Sequence, residues 1–230
     1  MSDLLIIIPA YNEEANIAQV VERLEQNFPQ YDYLVVNDGS KDGTGEILKQ
    51  RRYHYLELSV NLGLAGGFQA GMKYAWAKGY SYAIQIDGDG QHRPEYIAKM
   101  KKKMDEGYDI VIGSRFLGRK KRGSLRMAGS SLIEAAIRLT TGAVIKDPTS
   151  GMRLFSRRMI ERFSKELNYG PEPDTISYLL RGGAKVAEVA VVMDERTGGE
   201  SYLTPIRAAR YMLHMLMSIL FIQNFRKREE

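Results

Sequence analysis

The chain has 230 residues, 44% of them hydrophobic and 27% charged, with a formal net charge of +5. That is the composition of one globular domain, or a domain with an appendage, and it excludes a disordered or fibrous chain. Zero Cys excludes disulfides, thiolate zinc sites and cysteine nucleophiles, and three His leave little for a histidine-rich metal site.

Leu4–Ile8 is an apolar run between Asp3 and Pro9. It is too short for a signal peptide core and lacks a basic start, so it reads as a buried strand. Glu13–Asn27 places Ile17, Val20, Val21 and Leu24 at helical spacing. Tyr33–Val36 predicts a strand, and a helix follows over Asp42–Gln50. Tyr53–Leu58 predicts a strand, Ala65–Lys78 a helix and Tyr82–Ile86 another strand. Glu95–Glu106 is amphipathic, and Asp109–Ile112 predicts a fifth strand. This alternation implies βαβ units in an α/β fold, a mostly parallel sheet and helices on both faces.

The second half is less regular. Residues 117–123 form a basic loop, Leu125–Thr141 predicts a helix, and Met152–Phe155 and Lys185–Val192 predict strands. Pro171 and Pro173 punctuate the start of a helix over Thr175–Arg181, and Asp194–Thr204 is a polar loop. Ile206–Phe225 is a long helix, with Arg207, Arg210, His214 and Ser218 on one stripe and apolar residues around most of the rest. Tyr211–Phe225 falls short of the ~20 apolar residues that span a bilayer. The division expected is one domain over 1–204 and an amphipathic C-terminal helix over 205–230. That helix suits a membrane surface, a membrane-protein partner or a second copy of the chain, or else the core of this domain.

In an open α/β sheet, ligands sit beyond the carboxyl ends of the strands. Polar or Gly-rich sequence follows four of the first five strands: 9–13, 37–44, 61–67 and 87–95. Asp87 and Asp89 flank Gly88 as the chain leaves a strand, and such a pair can share a hard divalent cation, Mg²⁺ or Mn²⁺, with substrate phosphates. The alternative is an ordinary Asp/Gly turn. Asp38 can accept from a base or ribose hydroxyl, or it can cap a helix. The glycines from Gly63 to Gly67 suit either a phosphate cradle or close helix–sheet packing. The basic residues are not interleaved with stacking aromatics, so no nucleic-acid binding is expected. Arg119–Arg122 suits either solvent or anionic headgroups.

PAYNEE, VVNDGSKDGT, NLGLAGGFQAG, IDGDGQHRPE and IGSRF resemble, in order and spacing, the motifs of family 2 glycosyltransferases of the GT-A fold. DGDGQHRPE, GSRF, DPTSGMRLFS and RTGGES are similar to the dolichyl-phosphate mannose synthase branch, which includes bacterial polyprenyl-phosphate glycosyltransferases. The resemblance runs from about Leu4 to Ser201. It departs at Asn37, where many members have Asp, so altered nucleoside contacts are expected.

The resemblance implies that Pro9, Tyr11, Glu13 and Asp38, with Gly63 and Gly88 beside them, hold the nucleotide-diphosphate sugar. It implies that Asp87, Asp89 and Gln91 hold the metal against the diphosphate. Arg115, Arg126 and Ser130 would face the acceptor phosphate, and Arg196 would close over the diphosphate. Arg suits these roles because its planar fork matches phosphate oxygens. The implied activity is metal-dependent, inverting hexose transfer to polyprenyl phosphate, with a UDP-sugar the favoured donor. The implied location is cytoplasmic, peripheral at the inner face of the cell membrane. A phosphate acceptor is already an anion and needs no general base. A saccharide acceptor would need one, and Asp147 is then the candidate, its alternative being a turn-former before Pro148. A reading of another class is a catalytically silent nucleotide-sugar-binding regulator of a membrane partner.

Overall fold

The computed structural model describes residues 2–118, 125–166, 169–194 and 205–222, without the side chains of 125, 126 and 205–207. Strands β1 (Leu4–Ala10), β2 (Asp32–Asn37), β3 (Tyr55–Glu57) and β4 (Tyr82–Gln85) alternate with α1 (Ile17–Asn27), α2 (Thr44–Gln50) and α3 (Gly63–Ala77). A 3-10 turn at Pro94–Tyr96 leads into α4 (Ile97–Met104), then β5 (Ile110–Ser114) and α5 (Leu125–Thr141). Next come β6 (Arg153–Ser156), α6 (Arg157–Lys165), α7 (Pro173–Arg181), β7 (Val186–Ala190) and α8 (Pro205–Leu220).

The sheet order is β3-β2-β1-β4-β6-β5-β7. Every pairing is parallel except those of β6, which runs antiparallel to both β4 and β5. The expected mostly parallel sheet is thus present, and its one reversal matters for the site. Arg153, the first residue of β6, pairs with Gln85 near the end of β4 and with Ile112 in β5. The loop before β6 therefore arrives at the carboxyl edge of the sheet, where ligands bind in this architecture.

β1 is apolar throughout because both its faces are covered. Leu5 and Ile7 join a core completed by α3, α5, α6, α7 and α8. Leu4, Ile6 and Ile8 join a second core, completed chiefly by α1 and α4. Gly71 lets α3 lie on the sheet, since a Cβ there would come within 2.4 Å of Ile7 Cγ2.

The sequence reading missed α6. Its nine residues include five charged ones, and it follows β6 without a turn. Its apolar face is only Met159, Ile160 and Phe163, all fully buried. Phe163 packs edge-on to Phe68 and Phe155, with ring centroids 5.0 and 5.5 Å away. The charged residues found partners: the Arg157 guanidinium stacks over Trp76, and Arg158 binds both oxygens of Asp109.

α8 is docked rather than detached. Met215 and Ile219 lie in the core, and the Met212 side chain packs against Gly129 of α5. Its expected polar stripe is split. Arg210 and His214 are exposed, whereas Ser218 is buried and donates to Asp174 Oδ2 at 2.7 Å. The Arg207 side chain lies outside the described residues. Leu213, Met217 and Phe221, four residues apart, form an exposed apolar stripe. Among the described residues no helix is long and apolar enough to cross a membrane.

Candidate active site

The loops after β1 and β2 interlock through backbone N–H groups that donate to side-chain oxygens. Asn12 N–H donates to Ser40 Oγ at 3.0 Å, Glu13 N–H to Thr44 Oγ1 at 2.9 Å, and Lys41 N–H to Asn12 Oδ1 at 2.9 Å. Asp42, one residue before the Gly43 N-cap, holds the first residue of α2, its Oδ1 accepting from Thr44 N–H at 3.0 Å and Thr44 Oγ1 at 2.6 Å. Asp38 is thereby spared that task. It is 4% exposed, and its Oδ1 accepts from Leu62 N–H at 2.7 Å, one residue before α3. So Asp38 does anchor a helix start, but that of α3. The chain turns there through Gly63 at φ +74°, a conformation that L side chains rarely adopt.

Pro9, Glu13, Asp38 and Gly88 come together at this edge, with Tyr11 on the loop after β1 and Gly63 at the start of α3. A Cβ on Gly67 would lie 3.8 Å from Pro9 Cβ and 3.9 Å from Asp38 Cβ, and one on Gly88 would lie 3.3 Å from Pro9 O and 3.5 Å from Glu13 Cγ. Tyr11 is 38% exposed. Asn37 bridges Ser40 and Glu57, its Oδ1 accepting from Ser40 Oγ at 2.5 Å and its Nδ2 donating to both Glu57 carboxylate oxygens at 2.9 Å. An Asp in its place would set two carboxylates face to face, so Glu57 gives a physical reason for the amide.

Asp87 is held by two neighbours, His92 and Gln85. Its N–H donates to His92 Nδ1 at 3.0 Å, and Gln85 Nε2 donates to its Oδ1 at 3.2 Å. His92 Nε2 lies 3.6 Å from Oδ2. The His92 side chain is 3% exposed and that of Asp87 40%, so the histidine is a buried prop and the carboxylate stays accessible. His92 was missed in the sequence because it has no metal-ligand spacing; its position five residues past Asp87 was the available signal. Asp89 Oδ1 accepts from Gln91 N–H at 3.1 Å. The Gln91 side chain turns toward Asp194 O at 3.4 Å.

Asp87 and Asp89 supply hard oxygen donors on one loop. No group of three or more His, Cys, Asp or Glu able to hold a metal is present among the described residues. Two carboxylates fit Mg²⁺ or Mn²⁺ that completes its coordination with substrate phosphates and water, rather than a closed protein cage.

The loop before β6 brings a second anchor. Asp147 is fully buried and holds Arg115 as a bidentate pair, with Nε 2.7 Å from Oδ2 and Nη2 2.8 Å from Oδ1. Arg115 N–H adds a third bond to Oδ2 at 2.9 Å, and Nη2 also reaches Thr149 Oγ1 at 3.2 Å. Nη1 has no partner among the described residues, so part of the fork is left for an anion. Burial opposes the charge on Arg115, but the contacts with Asp147 outweigh it and Asp87 adds to it, so the pKa lies above the ordinary value. Glu188 on β7 fixes the loop by accepting from Lys146 N–H at 2.7 Å and Asp147 N–H at 2.8 Å.

Gly151 joins the two anchors. A Cβ there would meet Asp87 Oδ2 at 2.9 Å and His92 Cε1 at 3.1 Å. The first contact is the end of a movable side chain, so Gly151→Ala should displace Asp87 more than it strains the fold. The expected result is about tenfold weaker binding of nucleotide diphosphate in Mg²⁺, with a stability loss of about 1 kcal/mol. Calorimetric titration with UDP and GDP, beside urea unfolding, checks both. Unchanged affinity would remove Asp87 from the binding role.

Ser130 is 3% exposed on α5, four residues beyond Arg126 in the chain. The Arg126 side chain and all of Arg196 lie outside the described residues. Asp194, two residues before Arg196, is bound by Arg93 Nε at 2.6 Å and donates its N–H to Gln91 O at 2.9 Å. Asp194 is therefore tied to the stretch that follows the Asp87–Asp89 loop.

This arrangement can be compared with known proteins. The chain is 32% identical over 213 residues to polyprenol monophosphomannose synthase of Mycolicibacterium smegmatis, covering 87% of this chain and 80% of that protein. It is 30% identical over 217 residues to undecaprenyl-phosphate mannosyltransferase of Micrococcus luteus, covering 87% of each. It is 32% identical over 190 residues to the UDP-N-acetylglucosamine–dolichyl-phosphate N-acetylglucosaminyltransferase of Methanococcus voltae, covering 73% and 75%. A crystal structure of glucosyl-3-phosphoglycerate synthase from Mycobacterium tuberculosis, with Mn²⁺ and UDP-glucose, shares the GT-A fold. Its TM-score is 0.70 at 18% identity, over 97% of this chain and 80% of that one. Residues 5–163 match the family described as Glycosyl transferase family 2, and the chain belongs to that family as a glycosyltransferase.

Proposed function

We propose that the protein transfers a hexose from a nucleotide-diphosphate sugar to polyprenyl phosphate, with inversion at the anomeric carbon and a UDP-sugar as the favoured donor. The observation that carries this reading is the Arg115 fork, locked on buried Asp147 within the influence of Asp87. In this reading the fork is the fixed cation that stands between the donor-side carboxylates and the acceptor. Pro9, Tyr11, Glu13 and Asp38 hold the base and ribose. Asp87 and Asp89 would hold Mg²⁺ or Mn²⁺, which when bound offsets the charge of the departing diphosphate. Arg115 draws in the acceptor phosphate, helped by Arg126 and Ser130 on α5, and Arg196 attends the diphosphate. The acceptor oxygen is already anionic, so the residues orient two anions and damp their repulsion instead of removing a proton.

The base role considered for Asp147 under a saccharide acceptor is disfavoured by its surroundings. Both its oxygens are spent on Arg115 and it has no exposed surface. The names of the Mycolicibacterium, Micrococcus and Methanococcus relatives support a lipid-phosphate acceptor. The test is transfer of labelled sugar from UDP-glucose, UDP-N-acetylglucosamine and GDP-mannose to undecaprenyl phosphate, in Mg²⁺ or Mn²⁺ and then in chelator. A lipid-extractable, chelator-sensitive product of inverted configuration is expected. Donor hydrolysis without a lipid product would overturn the acceptor, and a retained configuration the mechanism.

For such an acceptor, the exposed stripe Leu213, Met217 and Phe221 suits peripheral contact with a bilayer. Deleting α8 would open the core at Met215 and Ile219 and so tests nothing about lipid. Leu213→Gln with Met217→Gln keeps the inner face. Flotation with anionic vesicles should fall about tenfold at unchanged melting temperature. Equal flotation of both proteins would count against the stripe.

A further inference from the structure

Arg153 is 1% exposed, among the largest fully buried side chains, and among the described residues no carboxylate forms an ion pair with it. Its guanidinium binds three backbone carbonyls instead. Nε donates to Ser150 O at 2.8 Å, Nη2 to Pro148 O at 2.7 Å and Nη1 to Glu172 O at 3.4 Å. The first two hold the loop that contains Asp147 and Gly151, and Arg115 and Asp87 rest on those two residues. The third ties that loop to the start of α7. There the Glu172 carboxylate accepts from Tyr211 of α8, and Asp174 accepts from Ser218 of α8.

Burying a guanidinium is costly, and an apolar side chain could fill the same space. What the guanidinium adds is rigid geometry: its planar fork fixes three carbonyls at once. Burial lowers the pKa of Arg153 and pushes that of Tyr211 up, the latter aided by Glu172, so the phenol stays a donor.

We propose that Arg153, Glu172 and Tyr211 are positioning residues, a polar relay with fully buried Arg153 at its inner end, through which the seat of α8 sets the 147–151 loop and hence the Arg115 fork. The inference deepens the reading of a lipid-phosphate acceptor, because α8 carries the exposed apolar stripe. Contact of that stripe with a bilayer would bear on the acceptor-side arginine through the relay.

The test uses the full chain with Tyr211→Phe and Arg153→Lys. Tyr211→Phe removes one hydroxyl and keeps the ring, so it folds even where Arg153→Lys does not. The first readout is hydrogen exchange of the Arg115 Nε–H, assigned by its loss in Arg115→Lys. Exchange should speed up about tenfold in Tyr211→Phe, although that residue touches neither Arg115 nor Asp147. The second readout is kinetic. The acceptor KM should rise or kcat fall about tenfold, with UDP and GDP binding unchanged. Unchanged exchange and unchanged kinetics, with only a lower melting temperature, would reduce the relay to a packing device and overturn the proposal. Lack of transfer by the wild-type chain would sink the lipid-acceptor reading alone, since the exchange readout needs no acceptor.

Discussion

Asp87→Asn and Asp89→Asn should each lower sugar transfer by about 10²- to 10³-fold, the scale of losing one electrostatic contact to charge that develops in the transition state. Neither carboxylate joins an apolar core, and the Asp87 side chain is 40% exposed. Their removal should therefore leave urea unfolding nearly unchanged, within about 0.5 kcal/mol, as for surface substitutions. The lesion is specific to the bound state, where diphosphate charge must be balanced.

A chelator sharpens the test. Wild-type protein in chelator should bind UDP or GDP no better than either variant, and chelator should not weaken the variants further. Effects that act through one ion do not add. Loss of activity in the variants with full chelator sensitivity remaining would show that the ion sits elsewhere. Gly151→Ala then serves as a graded member of the series, because it moves Asp87 without changing its chemistry.

The parts of the site legible in the sequence were those carried by the first four βα loops. There the strand, turn and motif are contiguous, and chain order alone puts Asp38, Asp87 and Asp89 at one edge of the sheet. The half built by β6 was not legible. A four-residue strand carries no direction in its composition, so nothing in RLFS announced that it enters antiparallel between β4 and β5. That reversal makes DPTSG an active-edge loop and gives Asp147 its partner. His92, Glu188 and Arg153 were missed for a related reason. Each acts on a segment reached through the fold rather than at a readable spacing, and a buried Arg that binds only carbonyls has no acidic partner in the sequence to betray it. α8 was legible as an amphipathic helix, but the inward turn of Ser218 depends on Asp174, 44 residues away.

The pairing of Arg115 with Asp147 separates positioning from base catalysis. Arg115→Ala leaves Asp147 as a fully buried carboxylate without its cation, which should cost about 3–5 kcal/mol. Arg115→Ala combined with Asp147→Asn should recover most of that stability, since the remaining amide is neutral. It should not recover transfer, because the fork that meets the acceptor phosphate is gone. Arg115→Lys keeps the charge but cannot span Asp147 and an anion together, so about a 10²-fold loss is expected with UDP and GDP binding retained. Asp147→Asn keeps one acceptor for Arg115 and loosens the fork. Its loss should be smaller, about tenfold, and should fall mainly on the acceptor KM. A general base behaves oppositely: Asp147→Asn would be the more damaging change, would spare the acceptor KM, and would erase the acid limb of the pH–rate profile. That outcome would return the acceptor to a neutral hydroxyl and make Arg115 a prop for Asp147 instead of the reverse.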